Sequence, residues 1–210
     1  MDAGACAPSS QSFIKSLMRT HVWRRAFVIS VTACLIAALP AHSGNDQGDH
    51  IKPGDKLQAL GNLHPDMQRH VLYTLNYQLP GLLPVCSEIT VTKVSSRKLT
   101  FTWQGVQYEM GYEKYTQQVG VSFQQAVLTY FGSACDKAKM QKLGPADQEG
   151  IRTGQPAAGM TRDGVLFAMG RPPIHANPDL NAPQWRYWRN RYVTQSIEFD
   201  AQGKVSRVVQ

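Results

Sequence analysis

The sequence predicts an α+β fold, on three observations. Residues 87–112 alternate apolar and polar side chains about a Gln104-Gly105 turn, the pattern of half-buried antiparallel strands. Residues 121–131 change to helical spacing, with Phe123, Ala126, Val127, Tyr130 and Phe131 on one side. Residues 161–209 read as a capped helix followed by three short strands.

The N-terminus is read as an export signal. Residues 26–40 (AFVISVTACLIAALP) carry no charge, follow Arg24 and Arg25, and precede Ala41-His42-Ser43. A basic region, a short apolar run and small residues at the last and third-last positions are the parts of a secretory signal, with cleavage expected after Ser43. The run is shorter than the roughly 20 apolar residues of a spanning helix, which favours cleavage over anchoring. Met18 is the expected start, since MRTHVWRR ahead of the apolar run has ordinary signal proportions. Cys34 in Val-Thr-Ala-Cys resembles a lipidation site, but the brief apolar stretch before it and the apolar residues continuing after it argue against lipidation.

The chain divides on this reading into a signal over 1–43, a β-rich unit over 44–145 and a second unit over 146–210. The β-rich unit is expected to be a small antiparallel sheet or SH3-like barrel followed by a helix. Residues 44–54 form a polar leader and 56–60 a short strand. Residues 82–85 lead into a strand over 87–94, with Ile89, Val91 and Val94 apolar; 99–103 and 106–112 make the hairpin. Ser122 caps the helix over 121–131 and Gly132 ends it. A short helical piece follows over 136–143, and 145–159 is the join, with room for a helix at 147–152.

In the last unit, Thr161 caps a helix over 162–169 and Gly170 stops it. Residues 184–188, 192–199 and 204–209 are strands, with the turn at 200–203. Strand alternation places Ile197 with Phe199, and Val205 with the stem of Arg207, leaving Val208 opposite.

The stretch from Gly159 to Val209 resembles the SmpA/OmlA (BamE-like) family. Gly159-Met160-Thr161-Arg162-Asp163, Val165, Met169-Gly170-Arg171-Pro172, Trp185-Arg186-Tyr187, Ile197-Glu198-Phe199-Asp200 and Gly203-Lys204-Val205 carry it, in the family's order and spacing. The resemblance implies short helices on a three-stranded antiparallel sheet. It also implies a periplasmic protein associated with the outer membrane or its protein assembly, and an affinity for anionic phospholipid. This chain departs in its N-terminal unit, in lacking a clear lipidated Cys at the cleavage site, and in Gly164 within the helix, where glycine costs roughly 1 kcal/mol relative to alanine.

Beyond Ser43 the chain carries 18 Lys and Arg against 14 Asp and Glu. That excess lacks the dense basic stripe of a nucleic-acid binder. Only Cys86 and Cys135 remain there, and in an oxidising compartment they are candidates for a disulfide, against the alternative of two buried thiols. No phosphate loop or nucleophile elbow is present. His50, His64 and His70 lack metal-pair spacing and read as surface or turn residues. Asp147 and Glu149 sit in a Gly-rich joint rather than a rigid cleft. No cofactor, metal or enzymatic activity is therefore expected.

One stretch is unusual: residues 184–192 read QWRYWRNRY. Trp185 and Tyr187 fit a core-facing strand side, whereas Arg186, Trp188, Arg189, Arg191 and Tyr192 are the candidate partner- or lipid-binding residues. Aromatic rings suit a membrane interface and arginines suit phosphate. The resulting expectation is a non-enzymatic adaptor of a Gram-negative cell envelope, bound to an envelope protein or anionic phospholipid. The alternative is a periplasmic binding module for cell-wall glycan or peptide, using Tyr73, Tyr77, Trp103, Tyr108 and Tyr112 as a stacking surface. A third reading, a cysteine-nucleophile enzyme, requires a free thiol at Cys86 or Cys135.

Overall fold

Two sheets, one of six strands and one of three, organise the chain. A computed structural model describes residues 50–210, all within a single compact unit. The expected export signal, with its expected cleavage after Ser43 and start at Met18, and Cys34 lie outside the described residues.

The larger sheet runs β2-β5-β4-β3-β1-β6. Its strands are β1 (Lys56–Ala59), β2 (Val71–Tyr73), β3 (Glu88–Val94), β4 (Lys98–Trp103), β5 (Val106–Gly111) and β6 (Phe131–Gly132). Every pairing is antiparallel except that of β2 with β5. Alternation sends Ile89, Val91, Leu99, Phe101, Trp103, Tyr108 and Met110 into one core. There Phe101 stacks on Tyr108 (centroids 5.8 Å apart) and meets Phe131 edge-on at 5.4 Å. The imperfect alternation of 87–94 has a cause: a register shift between Val91 and Lys93 brings Val94 opposite Leu99 and back against the core. The β4–β5 hairpin turns on Gln104 and Gly105, both at positive φ (50° and 78°), as a tight hairpin turn requires.

Several expectations are corrected here. The helix over 121–131 is shorter: α2 spans Phe123–Leu128, capped by a reciprocal Ser122–Gln125 box. Gly132 does not terminate it. Phe131 and Gly132 form β6, pairing with Ala59 and Gln58, so strand pairing captures the residues that the helical spacing had claimed. Residues 82–85 lead into β3, and Leu83 makes one bridge on the way, to Leu63. Two elements lacked a sequence signal: β2, only three residues long, and α1 (Lys114–Gln118), whose buried Thr116 hydroxyl accepts from Thr74 Oγ1 at 3.1 Å.

The second core gathers α4 (Pro145–Thr153), α5 (Arg162–Met169) and the sheet β7-β8-β9. These strands are β7 (Gln184–Trp188), β8 (Thr194–Phe199) and β9 (Val205–Val209), and the short α3 (Lys137–Gln141) lies ahead of α4, capped by Asp136. Thr161 caps α5 through Gly164 N, and Gly170 ends it at φ 67°. Asp200 Oδ1 accepts from Gln202 N and Lys204 N, closing the β8–β9 turn with Gly203 at φ 75°. Val205 faces the core, but a register irregularity between Glu198 and Phe199 reverses the alternation after it. Arg207 therefore turns outward to pair with Glu198, and Val208 packs toward the core, opposite to the simple period-two expectation.

The two cores are joined by buried amides. Asn62 Nδ2 donates to the Ile151 carbonyl at 2.6 Å, and its Oδ1 accepts from Val85 N at 2.7 Å. Asn76 Nδ2 donates to the carbonyls of Met169 (2.7 Å) and Arg171 (3.1 Å). A Cβ on Gly61 would sit 2.4 Å from the Leu166 carbonyl oxygen, so only glycine lets these backbones meet.

Candidate functional site

The candidate surface begins at β7. Its alternation buries Trp185 and Tyr187 completely and leaves Gln184, Arg186 and Trp188 on the outer face. Asn177 behaves as a substitute strand along the β7 edge. Its Oδ1 accepts from Arg186 N at 2.7 Å and its Nδ2 donates to the Arg186 carbonyl at 2.8 Å. Gln78 N donates to the Trp188 carbonyl at 2.8 Å. The edge is thereby satisfied, and what β7 offers is side chains rather than open backbone.

Beyond β7 the chain turns through residues 189–193. Arg189 N donates to the Val193 carbonyl at 2.8 Å, and Asn190 Oδ1 accepts from Tyr192 N (2.8 Å) and Val193 N (3.0 Å). This Asx-type turn projects Tyr192, which is 85% exposed, with the Arg191 guanidinium 6.0 Å from its ring centroid.

Three other segments converge on the Trp188 side. The His175 ring packs on Trp188 (centroids 5.0 Å) and on Tyr115 of α1 (5.2 Å), forming a three-ring ladder. Tyr73 and Tyr77 meet edge-on at 5.4 Å. The Tyr77 phenol is pushed up by burial and by Glu113, with Tyr115 and Tyr73 adding to the rise and Arg191 opposing it, so these groups share one electrostatic neighbourhood. Burial pulls His175 below its ordinary value, and its Nδ1 is buried without a partner among the described residues. The ladder is thus built around a neutral imidazole at neutral pH.

The five candidate residues do not form one patch. Arg186 and Trp188 share the outer face of β7, and Arg191 and Tyr192 occupy the hairpin tip. Arg189 follows the alternation of Tyr187 instead and reaches the opposite side, where its Nη1 donates to Gln210 Oε1 at 3.0 Å. Of the expected tyrosine-tryptophan stacking surface, Trp103 and Tyr108 are buried core residues and Tyr112 donates to the Val121 carbonyl, so Tyr73 and Tyr77 alone contribute to the ladder's surroundings. His175 and Tyr115 carried no local signal; only the tertiary fold brings them to Trp188.

Cys86 and Cys135 are joined by a disulfide, with Cα atoms 5.3 Å apart. The bond consumes both thiols, leaving no cysteine nucleophile among the described residues. Those residues also contain no group of three or more His, Cys, Asp and Glu arranged to hold a metal ion, and no helix long and apolar enough to cross a membrane. No family model, curated protein or solved structure matches the chain.

His64 is a correction of a different kind. It is buried at 4% exposure rather than lying on the surface, and its Nε2 has no partner among the described residues. Burial lowers its pKa, against the carbonyls of Ala168, Leu79 and Gly81, which raise it. A group with a depressed folded pKa binds fewer protons when folded than when unfolded as pH falls below about 6.5, so stability declines toward acid. We predict that the denaturation midpoint falls between pH 7 and pH 5 and that His64→Gln reduces this slope. An unchanged slope in a folded variant would assign the acid sensitivity elsewhere.

Proposed function

We propose that this protein is a non-enzymatic adaptor of the Gram-negative cell envelope, exported to the periplasm and held at an anionic phospholipid surface of the outer membrane or its protein assembly. The observation that carries this reading is the β7–β8 hairpin tip. Arg191 and Tyr192 project there into solvent from the hairpin whose first strand carries Arg186 and Trp188 on its outer face, and residues 184–193 contain no Asp or Glu. An exposed tyrosine prefers the headgroup region, and each nearby cation adds about 1 kcal/mol at an anionic surface.

The disulfide supports export, because such bonds persist in oxidising compartments. The SmpA/OmlA-like reading of residues 159–209 is supported by the Thr161 cap, the positive φ of Gly170 and the Gly203 turn, each a role that the family pattern needs. The same reading takes 44–145 as an added β-rich unit and 146–210 as the family module.

Co-sedimentation with phosphatidylcholine vesicles, with and without phosphatidylglycerol, tests the proposal. The protein is expected to bind the anionic vesicles, and the variant Arg186→Ala/Arg191→Ala/Tyr192→Ala to bind them roughly 30-fold more weakly, at about 1 kcal/mol per cation. Equal binding by a folded variant, or equal binding to both vesicles, would remove the hairpin from the account.

A further inference from the structure

Arg189 leaves the membrane-facing surface for a separate cavity of about 410 Å³, between residues 78–80 and the β7–β8 hairpin. That volume lies within the range of small-ligand pockets. Its polar wall is made of Gln78, Gln155, Arg189, Asn190 and Gln195, and no carboxylate lines it. Leu79, Pro80 and Val193 give it an apolar side.

Gln195 is the informative residue. It lies opposite Tyr187 on the core side of β8, is 4% exposed and borders the cavity. A primary amide in the wall of a cavity offers both a donor and an acceptor to whatever enters it. A ligand that supplies both an acceptor and a donor can engage it on both atoms. The surrounding amides are already partly committed. Gln78 Nε2 donates to the carbonyls of Asn76 (2.9 Å) and Met169 (3.2 Å), leaving its Oε1 unpartnered in the wall. Asn190 spends its Oδ1 on the turn, leaving its Nδ2 as a donor.

The register then places charge beside this amide. Arg189 closes the hairpin opposite Val193, and Gln195 is the diagonal neighbour two residues along β8. Diagonal neighbours stand about 7–8 Å apart and are bridged readily by long side chains. One guanidinium nitrogen is occupied by Gln210, and the others are free to fork onto a carboxylate. A cation, then a donor–acceptor amide one residue's reach away, then an apolar wall, is the order of groups in a peptide's last residues: terminal carboxylate, peptide group, side chain. Successive residues advance about 3.3–3.6 Å, so the last two cover the diagonal.

We propose that this cavity binds the free carboxyl terminus of a peptide, with Arg189 on the carboxylate and Gln195 on the adjoining peptide group. The site is independent of the lipid reading, because neither Arg191 nor Tyr192 lines it.

The test is an NMR titration of the protein with N-acetyl-alanyl-alanine and with the same dipeptide as its C-terminal amide. The free acid is expected to shift the Gln195 side-chain amide and the Val193 backbone signals, and the amidated form to bind at least tenfold more weakly. Gln195→Leu and Arg189→Met are each expected to weaken binding of the acid at least tenfold. Arg189 is exposed, so its variant keeps the test valid even if Gln195→Leu fails to fold. Arg191→Ala/Tyr192→Ala is expected to bind the dipeptide as the parent does, whatever its vesicle binding. Absence of shifts up to 10 mM dipeptide, equal binding of acid and amide, or undiminished binding by Arg189→Met would overturn the proposal and leave a water-filled cavity. Binding of N-acetylmuramic acid in preference to the dipeptide would overturn it in favour of an acidic sugar.

Discussion

Replacing both cysteines (Cys86→Ser/Cys135→Ser) is expected to lower the unfolding free energy by about 4 kcal/mol, the chain-entropy value for a closed loop of this length. The bond closes a loop with a sequence separation of 49. Its placement makes the native state depend on it locally as well. β1 has only four residues and lies between β3 and the two-residue edge strand β6. Cys86 precedes β3 and Cys135 follows β6, so the bridge ties the two neighbours of β1 together past its end. Hydrogen bonds from both cysteine N–H groups reinforce the clamp: Cys86 N donates to the Ala59 carbonyl at 2.8 Å, and Cys135 N to the Gln58 side-chain Oε1 at 3.0 Å. Denaturant unfolding of parent and double variant measures the effect, and hydrogen exchange should show protection at Phe131 and Gly132 lost first. A difference under about 1 kcal/mol would mean that β6 is held by its own packing.

The parts of this fold that the sequence reveals are those set by local chemistry. The Thr161–Gly170 bounds of α5, the Ser122 cap and the Gln104-Gly105 and Asp200–Gly203 turns each follow from residues whose side chains or backbone freedom act within one turn of chain. The β7 alternation is equally plain: Trp185 and Tyr187 point in, Arg186 and Trp188 point out. What the sequence conceals depends on long-range partners. β6 takes Phe131 and Gly132 from a helical pattern because β1 offers a free edge. The β9 irregularity exchanges Arg207 and Val208 because Glu198 accepts the guanidinium outside. His64 looks like a surface residue until two cores close over it.

The candidate site divides along the same line. Five residues of the hairpin were distinguishable from their composition. Their separation onto two sides of the hairpin follows from the period-two alternation from Tyr187 to Arg189. The His175–Trp188 contact and the placing of Gln195 beside a cavity arise only when distant segments pack, so no local pattern could reveal them.

Gly164→Ala is expected to destabilise the protein by about 2–4 kcal/mol, although alanine is the better helix former by roughly 1 kcal/mol. The reason is Asp147, a residue in α4 that is only 2% exposed. Its Oδ1 accepts from Thr161 N at 2.7 Å and its Oδ2 from the Thr161 hydroxyl at 3.1 Å, while Thr161 Oγ1 accepts from Gly164 N at 3.0 Å. The carboxylate therefore lies over the first turn of α5, where the helix dipole favours negative charge. A Cβ on Gly164 would stand 1.8 Å from Asp147 Oδ1, so the carboxylate must leave. Leaving breaks both bonds from Thr161, strands its part-buried N–H and loosens α4 from α5. The glycine that seemed a defect within the helix is the space that the carboxylate occupies. Asp147→Ala alone is expected to cost a similar 2–3 kcal/mol by orphaning Thr161 N. In the double variant Asp147→Ala/Gly164→Ala the clash is gone, and the loss should fall short of the sum of the single losses by at least 1 kcal/mol. Unfolding curves of the four proteins decide it: additive losses would show that Gly164 and Asp147 act separately, and a stabilised Gly164→Ala would show that the carboxylate moves without consequence.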